Sequence, residues 1–199
     1  MPQTINVNGT AMIQQMYVEE LKPASVTKPS PIVFWPGMCQ SGTSWLTTPD
    51  GRPGWASYFL GQGFVVYLVD PPERGRSPWV PDSSTLINVD SEYAEQFWTA
   101  TQHNGGLWPQ AKMLTQWPGT GQKGDAAFNG FMAGQVQSRK DYFAAETLSQ
   151  RLGAELLELV GPAVLCTHSQ GCSHGWAMAD RASKMVTAII ALEPIGLNT

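Results

Sequence analysis

Ala163-Val164-Leu165-Cys166-Thr167-His168-Ser169-Gln170-Gly171-Cys172-Ser173-His174-Gly175-Trp176-Ala177-Met178-Ala179 is the stretch that decides how the chain is read. The apolar run Ala163–Cys166 has strand character, and the residues from Cys172 onward read as the start of a helix. A serine at the centre of a tight strand-to-helix turn is lifted clear of the sheet, with the helix N-terminus aimed at it. Such an elbow is usually written Gly-x-Ser-x-Gly, and Thr167 stands here where the first glycine would. An ordinary turn that happens to carry a serine fits the pentapeptide about as well, so the decision rests on the rest of the chain.

Pro31-Ile32-Val33-Phe34-Trp35 is a second apolar run, and it ends in Pro36-Gly37-Met38-Cys39-Gln40-Ser41-Gly42. Acyl transfer on a strand–elbow–helix scaffold needs two backbone N–H donors for the developing oxyanion. One comes from the residue after the nucleophile, the other from the loop after the third strand. Gln170 occupies the first position. In the loop Gly37-Met38-Cys39, Met38 is the first candidate for the second donor and Cys39 the alternative.

Working outward, Thr4–Gly9 and Gln14–Glu20 read as an opening pair of strands, Pro31–Trp35 as a third, and Gly54–Gly61 as the first helix. Phe64–Asp70 is nearly continuously apolar, as expected of a strand covered on both faces. Glu146–Val160 carries Leu148, Leu152, Leu156, Leu157 and Val160 at helical spacing and delivers the chain to the elbow strand at Ala163. Thr187–Leu192 is a sixth strand, ending in Glu193-Pro194. Alternation of strand and helix predicts an α/β architecture with a mostly parallel, doubly wound sheet. Residues 1–81 and 138–199 read as core, and 82–137 as a cap inserted between them. That segment holds Phe97, Trp98, Trp108, Trp117, Phe128 and Phe131 with few charges, which suits an apolar or aromatic substrate. Packing of the cap onto the core explains any single one of these rings equally well.

The segment Gly42-Thr43-Ser44-Trp45-Leu46-Thr47-Thr48-Pro49-Asp50-Gly51-Arg52-Pro53-Gly54-Trp55 is followed by Gly63-Phe64-Val65-Val66-Tyr67, Arg74-Gly75-Arg76-Ser77, Gln116-Trp117-Pro118-Gly119 and Gly124-Asp125. Together they resemble the α/β-hydrolase superfamily, in particular a bacterial and fungal esterase-like branch, over nearly the whole chain. Many members carry His-Gly where this chain has Pro36-Gly37. The resemblance implies the α/β-hydrolase fold, Ser169 as nucleophile, and Glu193 at the end of strand six as the catalytic acid. Ser169 and Glu193 are 24 residues apart, room for one helix and a return strand, which sets both at the carboxyl edge of the sheet. A solvated glutamate before a proline-bounded loop is the plain alternative.

A Ser–His–acid machine also needs an imidazole to take and return the hydroxyl proton. The resemblance sets that histidine after strand eight, beyond both nucleophile and acid. The histidines of this chain are His103, His168 and His174, and none follows Glu193. His168 and His174 read as packing residues around the elbow, and His103 as a surface or substrate-contacting residue of the cap. The expectation is a catalytic histidine outside residues 1–199, with the C-terminal strands absent from this chain. A processed precursor whose C-terminal fragment stays bound, a shortened chain and a naturally short form are the three ways to reach it. The loop-like Gly196–Thr199 carries no stop signal of its own.

Composition narrows the partners. A net charge of −4 with 14% charged residues offers no basic stripe for nucleic acid, and no apolar run is long enough to span a bilayer. Met1-Pro2-Gln3-Thr4 lacks the basic-then-apolar opening of a secretory leader, and three cysteines allow no inferred pairing, which together predict a cytoplasmic location. No spacing suits zinc and no glycine loop cradles phosphate, so no cofactor or metal is expected. The expected partners are a small ester or lactone, the C-terminal fragment, and a second copy in a homodimer. The functional expectation is a serine hydrolase acting through an acyl-enzyme. Its rivals are a non-hydrolytic natural-product enzyme on the same fold (cyclase, isomerase or carbon–carbon cleavage) and a non-catalytic binding protein on a degraded one.

Overall fold

A computed structural model describes residues 4–6, 10–79, 85–103 and 108–195. β1 (Thr4–Asn6) and β2 (Thr10–Met12) form a separate antiparallel hairpin. β3 (Tyr17–Leu21) leads to β4 (Ile32–Trp35), then α1 (Trp55–Gly61) and β5 (Val66–Asp70). After β6 (Leu86–Ile87), α2 (Ser91–Ala94), α3 (Ala126–Ala133) and β7 (Ser138–Arg139), the chain enters α4 (Tyr142–Val160). It then returns through β8 (Ala163–His168), α5 (Gln170–Arg181) and β9 (Val186–Leu192).

The main sheet has the order β3-β5-β4-β8-β9, with β3 antiparallel and the other four strands parallel. Hydrophobic continuity explains who sits at the centre. All four residues of β4 are buried, because it is flanked by strands on both sides and covered on both faces. Val33, Trp35 and Leu165 pack on one face with Leu156, Leu157 and Met178 of the helices α4 and α5. Ile32, Phe34 and Cys166 pack on the other with Trp45 and Ala56. β9 lies at the sheet edge, and its Thr187, Ala188 and Ala191 are exposed.

The opening pair differs from the sequence expectation. The first segment pairs with Thr10–Met12, whereas Tyr17–Leu21 pairs along its whole length with β5, from Tyr17 opposite Asp70 to Leu21 opposite Val66. A strand that joins the sheet gains more pairing and burial than one closed on a local hairpin. Of the expected Thr4–Gly9 strand, residues 7–9 lie outside the described residues, as do Gly196–Thr199 and the 81/82 boundary of the insert. α4 begins at Tyr142, ahead of the expected Glu146, because Asp141 caps it by accepting from the Ala144 N–H at 3.0 Å.

The insert is built differently. α2 runs directly into a wide turn over Glu95–Thr99, and single 3-10 turns follow at Thr101–His103 and Ala111–Met113. Phe128 of α3 is buried against Cys39, Val89 and Ala94, with Met38 beside them, so the insert rests on the loop after β4. No helix among the described residues is long and apolar enough to cross a membrane.

Candidate active site

Ser169 joins β8 to α5 with φ 52° and ψ −123°, a left-handed backbone that costs a non-glycine residue on the order of 1–3 kcal/mol. Its N–H donates to the Leu192 carbonyl at 3.0 Å, and its own carbonyl accepts from the Cys172 N–H. The turn is therefore held at both ends. Thr167 is accommodated in place of the usual glycine because its Cγ2 lies only 2.7 Å from where a Cβ on Gly175 would be. The side chain missing from α5 makes room for the one added on β8.

The carboxyl edge of the sheet carries a recurring backbone feature. Each of the four parallel strands is followed by a non-glycine residue with positive φ: Cys39 (58°) after β4, Glu73 (60°) after β5, Ser169 after β8 and Glu193 (45°) after β9. His168 is in register with Leu192, so Ser169 and Glu193 leave adjacent strands at the same level. Glu193 is exposed and Ser169 half-buried.

The loop after β4 lies directly against the serine. A Cβ on Gly37 would sit 3.1 Å from Ser169 Cβ and 2.8 Å from His168 Nδ1, so only glycine lets the two segments approach this closely. The Cys39 N–H donates to Ser138 Oγ at 3.2 Å. The Met38 N–H has no hydrogen-bond partner among the described residues. The Cys39 thiol is buried, which pushes its pKa up, so it is a protonated packing group.

The histidines separate cleanly. His174 is buried on α5, and its Nδ1 accepts from Trp35 Nε1 at 3.1 Å. Burial first, then the Arg74 charge, pulls its pKa down to about 3, so it is neutral in the fold. His168 sits beside Gly37 with Nδ1 3.1 Å from Gln40 Oε1. Burial lowers its pKa, opposed by the charge of Glu193. His103 is exposed on a 3-10 turn of the insert. Among the described residues no group of His, Cys, Asp or Glu side chains is arranged to hold a metal.

The two arginines of the turn after β5, Arg74 and Arg76, have different surroundings. Arg76 fixes the turn: it binds Asp70 through Nε at 2.9 Å and Nη2 at 3.0 Å, and Glu19 through Nη1 at 2.8 Å. Arg74 turns inward and is buried. It donates to the Gly37 carbonyl at 2.6 Å and to Gln170 Oε1 at 3.0 Å. Beside the loop after β4 lies a cleft of about 610 Å³, with Gln40, Thr43, Ser44 and Thr48 on one wall and Trp117 and Phe131 on another.

This geometry has counterparts among known proteins. A solved structure of a novel bacterial esterase superposes with a TM-score of 0.75 at 29% identity, over 94% of this chain and 59% of that one. The chain has the α/β-hydrolase fold and resembles esterase-like members of it. Over 181 residues it is 49% identical to a protein named probable secreted lipase phiG from Fungal sp. (strain ATCC 74256), an alignment spanning 91% of this chain. The chain covers 49% of that relative, about half its length. A thermophilic esterase from Thermogutta terrifontis superposes more loosely, with a TM-score of 0.46 and 15% identity over 98% of this chain and 44% of that one. No family model matches. The relative's description as secreted overturns the cytoplasmic expectation for this α/β-hydrolase. The cysteine argument failed because Cys39, Cys166 and Cys172 are each buried as packing groups, so their lack of pairing carries no information about redox compartment.

Proposed function

We propose that this α/β-hydrolase chain carries the nucleophile, acid and oxyanion donors of a serine esterase that cleaves a carboxylic ester or lactone. The reading rests chiefly on the strained Ser169 turn, held between the Leu192 carbonyl and the first turn of α5 with Gly37 against it. Ser169 Oγ attacks the ester carbonyl carbon while its proton passes to an imidazole. The Met38 and Gln170 N–H groups receive the resulting oxyanion. On collapse the carbon–oxygen bond to the alcohol breaks, the imidazolium returns the proton to the leaving oxygen, and water later releases the acid by the reverse steps. Glu193 orients the imidazole.

The base is a histidine outside residues 1–199. His174 is locked to Trp35, His168 to Gln40, and His103 is exposed on the insert. Residues 82–137 act as the cap, and the cleft between hydroxyl-bearing residues and the Trp117–Phe131 wall suits an uncharged, partly aromatic ester. In the complete protein, Ser169→Ala should lower aryl-ester hydrolysis by at least about 10⁴-fold with the melting temperature preserved or raised. Hydrolysis at the parent rate in that variant would overturn the assignment.

A further inference from the structure

Arg74 is a buried cation whose direct partners are a carbonyl and a side-chain amide, not a carboxylate. Moving a charge out of water for two neutral acceptors is costly, and swapping such a group for an apolar one is commonly neutral or stabilising. Its partners are the two residues flanking the serine from opposite sides. Gly37 supplies the carbonyl of the peptide whose N–H belongs to Met38, and Gln170 is the residue after Ser169.

Resting on the esterase reading above, we infer that Arg74 is the positioning residue of the oxyanion hole, setting the separation and direction of its two N–H donors with one planar guanidinium. The peptide unit is rigid, and its N–H points opposite to its C=O. Fixing the Gly37 oxygen on Arg74 Nη1 therefore fixes the Met38 N–H to point away from the arginine, on a peptide that already lies against Ser169. The 2.6 Å contact also polarises that peptide and makes its N–H a stronger donor. The other arm of the fork holds Gln170 at the first position of α5. Arg74 itself stands in a rigid turn. Its N–H donates to the Pro71 carbonyl and its carbonyl accepts from Ser77, while the neighbouring Glu73 is ion-paired to Arg139 of β7 at 2.7 Å. Burial lowers the guanidinium pKa to about 10, which leaves it cationic at neutral pH. A lysine holds the two acceptors less rigidly, because its ammonium lacks the planar fork.

The test is made in the complete protein, with every rate expressed per serine labelled by a fluorophosphonate. Arg74→Lys is expected to lower kcat about 10- to 100-fold and leave KM within about threefold, below the cost of losing a donor outright. It should weaken inhibition by a trifluoromethyl ketone, which forms a tetrahedral adduct, by the same factor. An ordinary packing role would lower the labelled fraction and the melting temperature but not the rate per labelled site. Should the lysine variant not fold, Gln170→Met keeps the backbone donor and removes only the arginine's acceptor, and a several-fold fall in kcat at unchanged KM is expected of it. Parent-like kcat and ketone affinity in the folded variant overturn the inference alone. Absence of labelling in the parent, or full activity in Ser169→Ala, overturns the esterase reading instead.

Discussion

The parallel sheet and the insert at residues 85–137 hold themselves together in different ways. In the sheet, four-residue β4 is wholly buried and every neighbour is fixed by backbone pairing. In the insert, short helices and single turns are joined through ring contacts, Phe131 of α3 meeting Trp98 at 6.0 Å and Trp117 at 5.6 Å, and α3 is capped by Asp125 on the Ala127 and Phe128 N–H groups. A lattice of backbone hydrogen bonds resists local change. A set of half-buried rings shifts shape at small cost, which is what the proposed substrate wall requires.

The sharpest way to break this contrast is Phe34→Ala. Phe34 is fully buried between Trp45 and Phe59, and its loss should cost about 3–5 kcal/mol of stability in urea titration. A loss near 1 kcal/mol would mean the sheet is as yielding as the insert.

Next in size is a pH effect confined to the core. The His174 pKa is about 3 in the fold against 6.5 for the free side chain, so acid protonates the unfolded chain first. Its contribution is fully present above pH 6.5 and falls by about 1.4 kcal/mol per pH unit from there towards pH 3. His174→Gln should flatten that limb in urea midpoints taken between pH 7 and pH 4. An equally steep decline in the variant would assign the effect to other groups.

The smallest stability effect belongs to the insert. Phe131→Ala should cost about 1 kcal/mol in melting experiments, yet raise KM for aryl esters several-fold while leaving kcat for a small acetate ester within about twofold. A large stability loss with unchanged selectivity would make this ring part of the core.

The same contrast explains what the sequence revealed. β4, β5 and β8 were legible because a strand covered on both faces must be continuously apolar, β9 as an apolar run closed by Glu193-Pro194, and the Ser169 turn because strand, serine and helix are contiguous. The pairing of Tyr17–Leu21 with β5 was not, since register depends on residues nearly fifty positions away. Arg74 was invisible for the same reason. It sits in a Pro-Pro-Glu-Arg-Gly-Arg turn two residues from Arg76, and its partners lie 37 and 96 positions away. The only local hint was its place among the few charged residues of a chain with 14% of them. In the insert no periodicity announced the wide turn at Glu95–Thr99, because ring packing rather than residue spacing selects it.

The left-handed residues after the four parallel strands have an evolutionary consequence. Cys39, Glu73, Ser169 and Glu193 each hold a conformation that glycine adopts without strain. A laboratory selection for heat resistance alone would find gains at Ser169 and Glu193, each relaxed by exchange for glycine, whereas exchange at Cys39 would empty a buried site and exchange at Glu73 would strand Arg139. Those gains fall on the edge that carries Ser169 and Glu193, so under the esterase proposal thermal robustness and turnover compete for the same few residues. Screening for both at once would direct substitutions to the remote helices instead, where exposed side chains such as Leu159 on α4 are open to change without touching that edge.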